Sequence, residues 1–260
     1  MGVPRLFVDA PLAAGTPVRL ERQQAHYLVN VMRVAAGGPV ALFNGRDGEW
    51  LARLGGGRAP ELLPETLLRP QAEEPGPILL FAPIKRPRLE WLVEKAVELG
   101  VARLVPVLTE RTVVRPESAE RLRAKAIEAA EQCGRLGVPA LDEPGTLLAA
   151  VDAIGRDTRV AFADEAGDAP SLLELLERDA GVGALLVGPE GGFAPAERRA
   201  LRGHPAVRPV SLGPTVLRAE TAALYASTVW AAVAARRAGG GVRAASSASI
   251  PAAGTGGDSR

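Results

Sequence analysis

The sequence predicts an α/β protein in which a parallel sheet buried between helices follows a smaller β-rich unit. Three observations carry this expectation. From Ile78 onward, nearly continuous apolar runs of strand length alternate with helical patterns, as in a parallel sheet covered on both faces. Before residue 70 the apolar runs are short and broken by glycine-containing turns. Hydrophobic residues make up 47% of the chain and aromatic ones 4%, so its cores are aliphatic and closely spaced.

The first unit, residues 1–70, carries strand-like runs at Leu6–Val8, Val18–Leu20, Val40–Phe43 and Trp50–Leu54. Gly15, Gly37-Gly38 and Gly55–Gly57 punctuate them, and Asn44-Gly45 followed by Asp47-Gly48 predicts a tight turn joining two strands. Ala25, Leu28, Val29 and Met32 recur at helical spacing and predict one helix over the strands, with His26 read as a surface or capping residue ahead of an RNA contact. Residues 71–77 have the proline-rich polar character of a linker.

Residues 78–238 form the α/β unit. Ile78–Ala82 reads as a strand, and Leu89, Leu92, Val93, Ala96 and Val97 mark one face of a helix that stops at Gly100. Val101–Leu108 is the next strand, and Ser118 caps a helix expected to reach Leu136. Strands follow at Arg159–Ala163, Ala184–Val187 and Val207–Leu212, with helices at Leu172–Arg178 and from Pro195. The last helix, Glu220–Arg237, is apolar almost all round and needs cover from its own domain or a second subunit. Residues 239–260 are glycine, alanine and serine with few large apolar groups, the composition of a disordered tail.

Lys+Arg total 31 against Asp+Glu 30, so the net charge of +1 by itself favours no partner. Cations crowd residues 69–135, which fits either a face for a polyanion or solvated helix surfaces. The single Cys133 excludes an intramolecular disulfide, and with His26 and His204 unclustered no metal site is expected. Neither a secretory signal nor an apolar run of about 18 residues is visible, so a cytoplasmic protein with no membrane partner is expected.

Two segments carry candidate chemistry. In Leu185-Leu186-Val187-Gly188-Pro189-Glu190-Gly191-Gly192-Phe193 a buried strand ends in a glycine-rich loop, where backbone approaches a ligand and amide N–H groups are free to donate. In Ser211-Leu212-Gly213-Pro214-Thr215-Val216-Leu217-Arg218-Ala219-Glu220-Thr221 another strand ends in a loop, and Arg218 and Glu220 precede an apolar helix. Ligands of open parallel sheets bind at the carboxyl ends of strands. Taken singly, each loop also fits a structural turn or an ordinary helix start. Neither a Walker A loop nor a G-x-G-x-x-G fingerprint is present, which disfavours P-loop and Rossmann enzymes. A third segment, Glu128–Arg135, places Glu128, Gln132 and Arg135 at i, i+4 and i+7, the spacing of one helix face suited to a base edge or phosphate, or to solvent.

These segments, together with Pro83–Val101, Arg5–Val8, His26–Arg33 and Phe43–Gly45, resemble the RsmE family of 16S rRNA (uracil-N3) methyltransferases, over about residues 4–237 and in order. Cys133 stands where serine is also common in that family, and Ala219 replaces a frequent threonine. The resemblance implies a SPOUT-class α/β domain with a deep trefoil knot, preceded by a PUA-like RNA-binding β-barrel and working as a homodimer. It implies S-adenosylmethionine as cofactor and methyl transfer to N3 of a uridine in the decoding region of 16S rRNA in the small ribosomal subunit. Leu186, Val187, Gly188, Pro189, Glu190, Gly191 and Gly192 from one loop would bind the cofactor. Leu212, Gly213, Leu217, Arg218 and Thr221 from the other would join them, with Leu212 and Leu217 sandwiching the adenine. Arg218 is expected to stabilise the uracil anion or position the target nucleotide, and Glu190 and Glu220 each fit two roles: accepting the proton or holding Arg218. Arg5, Arg33, Lys85, Arg86, Gln132 and Arg135 are the expected RNA contacts. Two competing readings are a methyltransferase for another RNA nucleotide and a non-catalytic ribosome-assembly factor; retention of both loops argues against the latter.

Overall fold

The computed structural model describes residues 3–57, 60–154, 158–165 and 168–239. The tail expected over residues 239–260 lies, beyond Gly239, outside the described residues.

In the N-terminal unit β1 (Arg5–Phe7), β2 (Val18–Arg19), β3 (Pro39–Phe43), β4 (Glu49–Leu54) and β5 (Glu61–Arg69) form one five-stranded sheet in the order β1-β3-β4-β5-β2. β1 pairs parallel to β3, and the other pairings are antiparallel. The turn between β3 and β4 is built by buried Asn44. Its Oδ1 accepts the amides of Arg46 (3.0 Å) and Asp47 (2.9 Å), and its Nδ2 donates to Ala10 O and Asp47 Oδ2. Gly48, at φ 81°, must be glycine, since a Cβ there would stand 2.3 Å from Arg69 O.

The helix expected across Ala25–Met32 is divided. α1 (Arg22–His26) gives way to one π-helical stretch, Tyr27–Val31, which buries Leu28 and leaves Val29, Val31 and Met32 exposed. His26 is an exposed residue whose Nδ1 lies 2.9 Å from the Asn30 amide.

The second unit contains, in chain order, β6 (Ile78–Phe81), α2 (Arg86–Glu98), β7 (Arg103–Leu108), α3 (Ala119–Cys133), β8 (Ala140–Leu141), β9 (Gly145–Thr146), α4 (Leu147–Ala153) and β10 (Arg159–Ala163). α5 (Leu172–Arg178), β11 (Val182–Val187), α6 (Pro195–Gly203), β12 (Val207–Val210) and α7 (Ala219–Arg237) complete it. The sheet order is β12-β10-β11-β6-β7-β8, every pairing is parallel, and β9 adds to the far end of β7. Strand alternation sends Leu79 and Phe81 to one face and Leu80 to the other, so each face has its own core. α2, α3, α5 and α7 cover the first face, and Leu147, Val151 and Leu201 belong to the core on the second.

α3 stops before Leu136 because Gly134 takes the left-handed conformation, φ 81°, and turns the chain. Arg135 therefore does not continue the helix face of Glu128 and Gln132.

The two units are joined by a polar clamp. Arg5 pairs with Glu49 at 2.6 Å and donates to the carbonyls of Ala130, Glu131 and Arg135 at 2.6–2.9 Å. The first two carbonyls belong to the last turn of α3, where a cation complements the helix dipole. Arg69 also binds Glu49 and donates to Gly134 O, and Glu131 accepts the Phe7 amide. Phe7 and Phe43 pack into the core of the second unit. Residues 71–77 are not a free tether. Glu74 accepts the amides of Leu136 and Gly137 and pairs with Arg135, and Gly76 lies so close to Gly100 O that a Cβ would not fit.

Candidate cofactor site

The carboxyl ends of β10, β11 and β12, three neighbouring strands, open onto one cavity of about 600 Å³. A volume of that size suits a small-molecule cofactor. Its walls are Ala163–Glu165 after β10, Val187–Phe193 after β11, and Ser211–Leu217 after β12, with Ala219 and Ala222 of α7 closing one side.

Close packing dictates the glycines. A Cβ on Gly188 would meet the Phe193 ring at 2.5 Å, and Phe193 is itself fixed edge-on against Phe162 in the core. Gly192 has φ 65°, and its amide closes the turn on Pro189 O. Pro195 and Glu197 then start α6: Glu197 accepts the Ala194 amide at 2.9 Å and reaches across to the Glu110 amide at 2.8 Å. Arg111 donates to Gly191 O, so the segment after β7 also braces this loop. On the opposite wall Gly213 has φ 120°, and Leu212 and Leu217 are half-buried against the core.

Asp164, at the base of the cavity, is buried between two α6 arginines, Arg198 (3.1 Å) and Arg202 (2.7 Å). Arg202 also holds Asp168, whose carboxyl it lowers, and its own guanidinium is shifted further up by both carboxylates.

A model of the RNA methyltransferase domain matches residues 72–231, and one of the RNA methyltransferase PUA domain matches residues 20–59. The ribosomal RNA small subunit methyltransferase E of Rickettsia conorii is 31% identical over 229 residues, covering 85% of this chain and 92% of its own. The chain belongs to the ribosomal RNA small subunit methyltransferase E (RsmE) family. The Synechocystis protein of the same name is 32% identical over 84% of this chain and 74% of its own. A Legionella pneumophila methyltransferase solved with bound S-adenosylmethionine superposes with a TM-score of 0.80 at 30% identity, covering 89% of this chain and 98% of its own. The Neisseria gonorrhoeae RsmE bound to the same cofactor gives a TM-score of 0.75 at 28% identity, covering 87% and 96%.

In this RsmE-family chain Val187, Gly188, Pro189, Glu190, Gly191, Gly192, Leu212, Gly213 and Leu217 all line the cavity, as the two-loop expectation has it. Leu186 instead lies fully buried in the core of the sheet's second face. Arg218 and Thr221 are exposed at the start of α7, outside the cavity wall.

The two carboxylates separate. Glu190 stands on the cavity wall, while Glu220 is 8% exposed behind it. Neither holds Arg218, for which no ion pair occurs among the described residues; both face Arg88 of α2, at 3.8 Å and 3.5 Å.

The expected RNA contacts divide by exposure. Arg33, Lys85, Arg86 and Gln132 are exposed; Arg33 has φ 54°, and Arg86 pairs with Glu90 and Glu117. Arg5 and Arg135, at 16% and 12% side-chain exposure, spend their donors on the polar clamp and on carbonyls of Val97 and Val101, which withdraws them from any RNA surface.

Sequence reasoning missed Arg88 and the Ala163–Glu165 wall. The other loops were located as glycine-bearing segments at the carboxyl ends of strands, and Asp164-Glu165 likewise follows the carboxyl end of a strand. Nothing local marks Arg88, whose partners are far away in the chain.

Proposed function

We propose that this RsmE-family protein transfers the methyl group of S-adenosylmethionine to N3 of a uridine in the decoding region of 16S rRNA. The observation that carries the reading is the cavity formed at three adjacent strand ends, with Glu190 on its wall, in a chain whose relatives of the same architecture are solved with that cofactor.

The residues fit the group. Gly188 and Gly192 leave backbone where a side chain would collide, and Leu212 and Leu217 offer apolar surface to an adenine ring. When bound, the cofactor supplies an electrophilic methyl carbon. The chain supplies the rest. Uracil N3 carries a proton and becomes an effective nucleophile as that proton leaves. Of the carboxylates on the wall, Asp164 and Glu165 pair with the α6 arginines, so Glu190 is our choice to accept it, and buried Glu220 serves as an anchor. Arg218, exposed beside the wall, stabilises the charge that develops on the uracil oxygens. Holding nucleophile and methyl group in line contributes much of the rest of the acceleration.

RNA docking rests on Arg33, Lys85, Arg86 and Gln132. Charge reversal at Lys85 and Arg86 flattens the salt dependence of RNA binding if they meet phosphates. Residues 1–70 act as the docking unit and 78–238 as the catalytic unit, in the cytoplasm. The C-terminal knot that the family resemblance implies is part of the same reading. Exposed Trp91 on α2 and Tyr225 on the adjoining α7 support pairing with a second copy.

The test is nucleoside mass spectrometry of small-subunit RNA with and without the protein. A 3-methyluridine difference is expected. A different methylated nucleoside would reassign the substrate, and no difference at all would end the proposal.

A further inference from the structure

The cofactor cavity is walled by loops from different strands, and among the described residues no backbone hydrogen bond joins the β11 loop to the start of α7. One side chain does. Arg88, on the first turn of α2, approaches Glu190 of the β11 loop at 3.8 Å through an Nη and Glu220 of α7 at 3.5 Å through Nε. Glu220 is fixed. It is 8% exposed, and its Oε2 is buried with no hydrogen-bond partner among the described residues. A carboxylate so placed is expensive without a cation, and Arg88 is the cation that faces it. Glu190, by contrast, sits on a glycine loop whose side chain is 37% exposed. The pairing is therefore asymmetric: a buried anchor holds the guanidinium, and the guanidinium holds a loop residue. A planar fork with several donors suits such bridging, while a lysine ammonium is a single point of charge.

We infer that Arg88 is a positioning residue that ties the cofactor loop at Glu190 to the helix start at Glu220, setting the shape of the S-adenosylmethionine cavity and the aim of the Glu190 carboxylate. The inference rests on the proposed cofactor. Lys85, the N-cap of α2, and Arg86, its first residue, precede Arg88, but Lys85 is exposed and Arg86 is engaged with Glu90 and Glu117, so neither substitutes for it.

The experiment is a double-mutant cycle on the full chain with Arg88→Met and Glu190→Gln, read by calorimetry with S-adenosylmethionine and by turnover on small-subunit RNA. Arg88→Met is expected to weaken cofactor binding about 5- to 150-fold, the usual span of coupling between sites. Glu190→Gln should weaken it similarly, and the double variant no further than the worse single one. Arg88→Lys should recover part of the affinity, which loss of a packing stem alone would not explain. The RNA KM should change less than turnover. Cofactor affinities that multiply independently, or an Arg88→Met protein that binds like wild type, would overturn the inference. Should Arg88→Met fail to fold, the cycle is run with Arg88→Lys, and independent losses there overturn it equally. If wild type itself binds no S-adenosylmethionine, the functional proposal fails instead.

Discussion

Replacing Gly188 by alanine tests the cofactor loop at its tightest point. The added methyl carbon would stand 2.5 Å from Cε2, 2.9 Å from Cζ and 3.0 Å from Cδ2 of Phe193. That ring is 2% exposed and packs at 5.0 Å, near perpendicular, on Phe162. It has no rotamer to retreat to without opening the core, so either Phe193 shifts or the loop lifts off the cavity. Overpacking of this kind costs about 1–3 kcal/mol. Where the loop absorbs the strain, the same energy appears as a loss of cofactor affinity of about 5- to 150-fold. Where the ring absorbs it, a lowered melting temperature reports it. Calorimetric titration with S-adenosylmethionine and thermal melts of the same preparation divide the cost between the two. Gly191→Ala is the internal control for stability. Its methyl would lie 3.6 Å from Arg111 Cβ at ordinary contact distance, with no backbone strain, and melting should be unchanged. A Gly188→Ala protein matching wild type in both affinity and melting would refute the packing argument, as would a Gly191→Ala protein as unstable as it.

Three other outcomes are expected. Arg5→Met removes the centre of the polar clamp, leaving Glu49 to Arg69 alone and the carbonyls of Ala130, Glu131 and Arg135 without their donor, so urea denaturation should show a loss of about 1–3 kcal/mol; no measurable change would count against the clamp. Burial raises the Glu131 carboxyl against the opposing Phe7 amide, so its contribution to stability is full below the ordinary carboxyl pKa, about 4.3, and falls as pH rises through the folded value. Glu131→Gln keeps an acceptor for Phe7 and should be the more stable protein at neutral pH, the advantage vanishing in acid; melts that differ equally at every pH would contradict this. Arg218→Ala should lower turnover far more than cofactor affinity, because Arg218 lies outside the cavity wall, and near-normal turnover would remove it from the mechanism.

Much of the second unit was legible because its elements carry strong periodic patterns. β10 and α5 fall at the expected residues, and α7 begins one residue early. β5 was not foreseen: Glu61–Arg69 is leucine- and glutamate-rich and contains Pro64, which reads as loop. Its stability comes from pairing with β4 across two register shifts, a property of the partner strand that no local pattern displays. β8 and β9 are two residues each, too short to show any period. The glycine loops were legible for a different reason. Glycine announces a backbone requirement locally, and Gly188 and Gly192 meet theirs within their own loop and its immediate neighbours.

Charged side chains behave in the opposite way, since their meaning is set by partners distant in the chain. Arg5 and Arg135 have the composition of RNA contacts, yet Arg5 is consumed in holding the N-terminal sheet against the end of α3, and Arg135 in holding Glu74 and the carbonyls of Val97 and Val101. That misreading carries a functional consequence. Arg5, Arg69 and Glu131 fix the sheet on α3, and α3 packs on α2, the helix whose Arg88 meets the cofactor loop. The separation between the N-terminal surface and the cavity is therefore set by packed elements and not by the 71–77 segment. On the proposed function, an RNA that met Arg33 and offered its base at Glu190 would have to span a fixed distance. Selection of one nucleotide can then come from the shape of the RNA between those points, with few contacts to the base itself.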